Sequence, residues 1–173
     1  KEANCVWFAG GRQWRFMDAY DGTPALDLFR DVLQRGGVIC GSSAGASIQG
    51  EYLARADALT NRRIVAEGYE RGLNFLPGTA IDQHFAQRNR FNELRFLVNT
   101  YPQYLGIGID EATGIVVRGQ IAEVIGRNQV HFFDAKKSNR EGKPTFQSLS
   151  AGGIYDLGKR LILSPAVAER PAS

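Results

Sequence analysis

A short apolar run, Val38-Ile39-Cys40, breaks into Gly41-Ser42-Ser43-Ala44-Gly45 and continues as Ala46-Ser47-Ile48-Gln49-Gly50. That order reads as strand, sharp turn, helix, and it constrains the fold more than any other stretch. A Gly-x-Ser-x-Gly turn needs small residues beside the serine, because a tight strand-to-helix reversal leaves no room for side chains there. The turn lifts the Ser43 hydroxyl into solvent at the carboxyl end of a strand, where a nucleophile is useful. Taken alone, such a pattern is more often a structural glycine-rich turn than a catalytic one. A base and an acid elsewhere must decide.

The 173 residues are enough for one compact domain, and 43% hydrophobic with 23% charged residues is ordinary for a globular chain. A net charge of +3, spread evenly, gives no footprint for nucleic acid. The basic pairs Arg62-Arg63 and Lys136-Lys137 lack interleaved aromatics and read as solvated surface. No apolar run approaches the roughly 20 residues of a membrane span, so a soluble protein, cytoplasmic rather than exported, is expected. The chain begins at Lys1 rather than Met, so a removed leader stays open. Cys5 and Cys40 are read as small core residues, and a disulfide between them would require neighbouring strands. With two histidines and no Cys-x-x-Cys or His-Glu-x-x-His spacing, neither a metal nor another cofactor is expected.

Along the chain, strands and helices alternate. Residues 5–9 read as a buried strand ending at Gly10-Gly11. Thr23 and Pro24 read as the N-cap and first residue of a helix through Arg35, closed by Gly36-Gly37. After the Ser43 turn and its helix, residues 51–78 are irregular. A short strand over 79–81 leads to Asp82-Gln83-His84-Phe85, a helix spans about 88–99, and a strand runs from Leu105 to Asp110. Residues 114–118 and 121–125 form a hairpin around Gly119, Val130 to Phe133 adds a strand, and 138–144 is a polar loop. This predicts an α/β protein of three layers, αβα, with a mainly parallel sheet and an antiparallel extension near the C-terminus, in one domain over 1–173.

Ligands of such sheets bind beyond the carboxyl ends of the strands. The loops there carry Gly10-Gly11-Arg12-Gln13, Ser43, Asp82-Gln83-His84 and Asp110-Glu111. A serine nucleophile needs a base, and His84 shares the predicted sheet edge with Ser43, whereas His131 lies within a strand and reads as structural. The imidazole in turn needs an acceptor. Consecutive strand residues face opposite sides, so one of Asp110 and Glu111 should face His84. Glu51 and Asp57 are held in reserve.

Four blocks together resemble the cyanophycinase branch of the S51 serine peptidases. They are Trp7-Phe8-Ala9-Gly10-Gly11-Arg12-Gln13, Gly41-Ser42-Ser43-Ala44-Gly45-Ala46, residues 81–90 from Ile81 to Arg90, and Gly106-Ile107-Gly108-Ile109-Asp110-Glu111. They occur in the family's order. Family members are usually longer at the N-terminus, so part of the sheet is expected to be missing. The resemblance implies a class I glutamine amidotransferase-like fold and a Ser-His-Glu triad that falls on Ser43, His84 and Glu111. An older assignment within the family would place the acid on Asp57 instead.

On that resemblance, Ser43 attacks a peptide carbonyl, His84 takes its proton, and the backbone N–H groups of Ala44 and Gly11 hold the oxyanion. The implied substrates are cyanophycin-like β-aspartyl-arginine units or α-aspartyl dipeptides. Arg88 and Arg90 would receive carboxylates, and Gln13, Asp82 and Gln83 would bind main-chain or amide groups. One position departs from the family: Arg12 stands where cyanophycinases usually have Asp, which should disfavour an arginine-bearing substrate and favour an acidic one. The other readings are an esterase or amidase on the same triad, and a catalytically silent binding protein. No nucleic acid or membrane partner is expected, and a homodimer is left open.

Overall fold

The computed structural model describes residues 2–60, 62–138 and 144–165, so most of the 138–144 loop lies outside the described residues. β1 (Cys5–Phe8) and β2 (Val38–Gly41) pair in parallel, with Trp7 opposite Cys40 and Phe8 opposite Gly41. Between them run α1 (Gln13–Tyr20) and α2 (Pro24–Gln34). Proline fixes the first turn of α2, as expected, but Thr23 does not cap it: its hydroxyl donates back to the Tyr20 carbonyl at 2.8 Å. The helix after Ser43, α3 (Ala44–Ser47), is a single turn.

A second sheet has the order β3-β4-β5-β8-β9, with β3 (Gly50–Tyr52), β4 (Leu76–Gln83), β5 (Leu105–Ile109), β8 (Val130–Ser138) and β9 (Pro144–Leu149). Its first three strands are parallel and its last two antiparallel to their neighbours. Between β4 and β5 the chain makes a 3₁₀ turn (Ala86–Arg88) and then α4 (Phe91–Thr100). The single helix expected over 88–99 is split because Asn89 takes the left-handed conformation, φ 50°. The antiparallel extension is larger than expected. β6 (Thr113–Arg118), β7 (Ile121–Gly126), β10 (Ile154–Asp156) and β11 (Leu161–Ser164) form a third sheet of their own.

Alternation of side chains along the five-stranded sheet builds two cores. Ile81, Ile107 and Phe132 pack with Val124 and Tyr155 of the antiparallel sheet, and the Phe132 and Tyr155 rings stack at 3.9 Å. Ala80 and Phe133 face the other way, onto Leu94, Leu97 and Val98 of α4. A third core joins Phe8 of β1 to Met17 and Leu26 of the two helices and to Ile48. Cys5 and Cys40, expected in the core, are not there: Cys5 is exposed and Cys40 half-buried, because their face of the β1–β2 pair is uncovered beside the exposed Trp7 and Val38. The two thiols are free, 3.9 Å apart on neighbouring strands, and burial with the adjacent Cys5 pushes the Cys40 thiol up.

One charge cluster is sealed inside. The Asp82 carboxylate, fully buried on β4, receives Arg55 Nε at 2.9 and 3.0 Å and Arg90 Nη1 at 2.7 Å. Arg55 also reaches Glu93 and donates to the Arg62 carbonyl, while Arg90 donates to the Gln83 carbonyl at 2.6 Å. Removing one member of a buried ion cluster leaves the others charged and poorly solvated. Asp82→Ala is therefore expected to cost about 3–5 kcal/mol, read as a fall in the urea midpoint of the purified chain.

His131, on β8, is buried among Phe85, Phe91 and Phe146, with Nδ1 2.7 Å from Ser148 Oγ and Nε2 3.4 Å from Asp110 Oδ1. Burial lowers its pKa from 6.5, outweighing the opposing pull of Asp110. The unfolded chain then takes up this proton before the folded chain does, so stability falls as pH drops through about 6.5. Urea midpoints at pH 7 and pH 5 should differ more for the wild type than for His131→Phe, which has no proton to gain.

Candidate active site

β2 delivers Ser43 into a strained turn, with φ 53° and ψ −119° for a residue bearing a side chain. Such a conformation costs of order 1–3 kcal/mol and persists only where its surroundings over-determine it. They do so through close backbone approach. Ser42 N–H donates to the Phe8 carbonyl at 3.0 Å and Gly45 N–H to the Ser42 carbonyl at 2.9 Å. A Cβ on Gly45 would lie 2.1 Å from the Phe8 carbonyl oxygen, and one on Gly41 would lie 2.1 Å from that of Gly45. Both flanking glycines are thus required by contact with β1 and by the turn itself. Gly10 lies against Ser43, since its Cβ position is 3.6 Å from Ser43 Cβ.

Parallel register brings the other two groups together. Gln83 at the end of β4 pairs with Ile109 at the end of β5, so the residues that follow leave the sheet side by side. His84 turns with φ 51° and places Nε2 3.1 Å from Ser43 Oγ. Its Nδ1 lies 2.8 Å from Glu111 Oε1. A carboxylate can only accept, so Nδ1–H donates to Glu111 and the Nε2 lone pair faces the Ser43 hydroxyl. The His84 side chain is 27% exposed and that of Glu111 53%, which opens this line of groups to solvent.

Other predicted residues fall elsewhere. Asp110 turns inward and is 7% exposed. Asp57 Oδ1 accepts the N–H groups of Leu59 and Thr60, closing its own loop, and Glu51 accepts the Gly78 N–H. Asp82 and Arg90 were expected at the cleft but are used up in the buried charge cluster, their exposure reduced to 0% and 4%. Gln13 is buried, with its amide 3.4 Å from the Ala54 carbonyl, and Gln83 is buried too. Arg88 is exposed, its N–H bonded to the His84 carbonyl, and Arg12 is half-buried with Nη2 on the Ala58 carbonyl at 3.1 Å. Gly11 is exposed beside Gly10, and Ala44 begins α3, where its N–H has no partner within the helix. Two contacts escaped the sequence reading: Gln87 Oε1 accepts the Glu111 N–H at 3.0 Å, and Asn128 Nδ2 donates to the Glu111 carbonyl at 2.8 Å. Among the described residues, no cluster of three potential metal ligands occurs, and no helix is long and apolar enough to cross a membrane.

Chemically, the line joins a hydroxyl, an imidazole and a carboxylate, the three groups that serine acyl transfer uses. Comparison with known proteins bears on the family of the chain. The model of Peptidase family S51 matches residues 1–125. The cyanophycinase of Trichormus variabilis is 31% identical over 180 residues, covering 94% of this chain and 59% of the relative. That of Synechococcus elongatus is 33% identical over 136 residues, covering 76% and 42%. The chain therefore spans well under two thirds of the curated relatives it matches. A solved structure from Listeria monocytogenes, described as a peptidase E protein, aligns with a TM-score of 0.52 at 22% identity, covering 73% of this chain and 60% of that one. At that identity the likeness concerns architecture, the class I glutamine amidotransferase-like α/β fold.

Proposed function

The chain belongs to peptidase family S51, and on that premise we propose that it is a serine peptidase cleaving peptide bonds at aspartyl residues. The observation that carries this reading is the unbroken line from Ser43 Oγ through His84 to Glu111, at 3.1 and 2.8 Å. His84 Nε2 takes the Ser43 proton as Oγ attacks the substrate carbonyl carbon, and the Glu111 carboxylate stabilises the imidazolium that forms. The Ala44 and Gly11 N–H groups receive the developing oxyanion. His84 then returns the proton to the leaving amine, which departs as the acyl-enzyme forms. Water, deprotonated by the same imidazole, hydrolyses the ester and frees Ser43.

The strained Ser43 conformation supports this role, since a structural serine needs no such geometry. With Arg90 committed to Asp82, the cations left for an aspartyl carboxylate are the exposed Arg88, one turn from His84, and the half-buried Arg12, next to Gly11. Both favour an acidic group on the substrate, and Arg12 disfavours a cationic one.

Hydrolysis of β-aspartyl-arginine, α-aspartyl dipeptides and simple esters should rank the aspartyl peptides first. Ser43→Ala should lower kcat by roughly 10⁶ and Glu111→Gln by roughly 10⁴. Full activity in Ser43→Ala would defeat the reading, and preference for esters alone would move it to an esterase. Arg12→Asp should raise kcat/KM for β-aspartyl-arginine relative to an acidic dipeptide about fivefold, in line with ~1 kcal/mol for a charge that still meets solvent.

A further inference from the structure

The turns carrying His84 and Glu111 exchange hydrogen bonds that the catalytic line itself does not use. Asp110 points inward, and its Oδ1 accepts the N–H of Ala86, two residues beyond His84, at 2.9 Å. Its Oδ2 accepts the Gln129 N–H at 3.3 Å, and its own N–H donates to the Gln129 carbonyl at 3.1 Å. In return, Gln87 on the His84 turn accepts the N–H of Glu111 at 3.0 Å. Each turn thus supplies one side-chain acceptor to a backbone donor of the other, and the Phe85 N–H to Ile109 carbonyl bond at 3.1 Å lies between them. Beneath the pair, His131 rests its Nε2 3.4 Å from Asp110 Oδ1, and its ring packs on Phe85 at 5.4 Å.

His84 has a positive φ that its own side chain disfavours, so its position depends on neighbouring groups. A misplacement of about 1 Å at a catalytic group costs about 10²-fold in rate. We propose that Asp110 and Gln87 are positioning residues that latch the His84 turn to the Glu111 turn, with His131 buttressing the Asp110 side. The latch rests on the Ser43–His84–Glu111 reading, since it acts only by keeping His84 Nδ1 aligned with Glu111. It goes beyond that reading because neither residue touches the substrate or the reacting atoms.

The variants Asp110→Ala, Asp110→Asn and Gln87→Ala, made in the full chain, separate positioning from bulk structure. Asp110→Ala removes the acceptor for Ala86 N–H, whereas Asn retains an acceptor oxygen. With an aspartyl dipeptide, Asp110→Ala should lower kcat about 10²-fold with KM within twofold, and Asp110→Asn should restore most of it. The low-field proton resonance of the His84 Nδ1–H bonded to Glu111 should be lost in Asp110→Ala and present in Asp110→Asn. If Asp110→Ala does not fold, the exposed Gln87→Ala carries the test, with the same resonance weakened and kcat down at least threefold at unchanged KM. Wild-type kcat and an unchanged resonance in the folded variants would overturn the latch while Ser43→Ala remained inactive. An active Ser43→Ala would instead overturn the catalytic reading on which it rests.

Discussion

The register between β4 and β5 is the constraint on which the site depends. Pairing Gln83 with Ile109 makes two parallel strands end at the same level, so His84 and Glu111 emerge as neighbours although 27 residues separate them. A register slip of one residue would send His84 to the opposite face of its strand. The register is held from both faces: Ile81 and Ile107 fit the core shared with the antiparallel sheet, while Ala80 sits on the α4 side. The third group, Ser43, comes from a different pair of strands, and its 3.1 Å contact with His84 bridges the two sheets.

Charge reinforces that geometry. Asp82, one residue before the end of β4, holds Arg55 from the preceding loop and Arg90 from the start of α4. Such a cluster is poor value as net stability but demanding about arrangement, because each partner is costly when alone. It fixes where the segment from His84 to Arg90 leaves and re-enters the structure. Ser43 and His84 are two of the seven non-glycine residues with positive φ among the described residues, and they meet at the 3.1 Å contact between the two sheets.

Ser43 and His84 were legible in the sequence because each depends on local chemistry, a small-residue turn and an imidazole after a short strand; the single sheet edge expected for them is instead the meeting of two sheets, β1-β2 and the five-stranded one. Strand alternation limited the partner of His84 to one of Asp110 and Glu111, the family resemblance pointed to Glu111, and the backbone path after Ile109 turns Glu111 towards His84 and Asp110 inward. Asp82 and Arg90 were misassigned to the cleft because their burial depends on Arg55, 27 residues away from Asp82, which no local pattern announces. α1 was missed because Arg12 offers no side-chain cap and Gly10-Gly11 reads as loop. The strands after residue 144 are short, and their partners are remote in sequence. The exposed face bearing Cys5 and Trp7 was missed because an apolar strand looks buried whether or not a layer covers it.

The central claim, that Ser43 is a nucleophile activated by His84, is tested most directly by mapping the adduct of a fluorophosphonate probe by peptide mass spectrometry. The account predicts one adduct, on Ser43, formed rapidly in the wild-type chain and lost in His84→Ala. An unmodified Ser43, or labelling of Ser43 that proceeds equally well without His84, would contradict it.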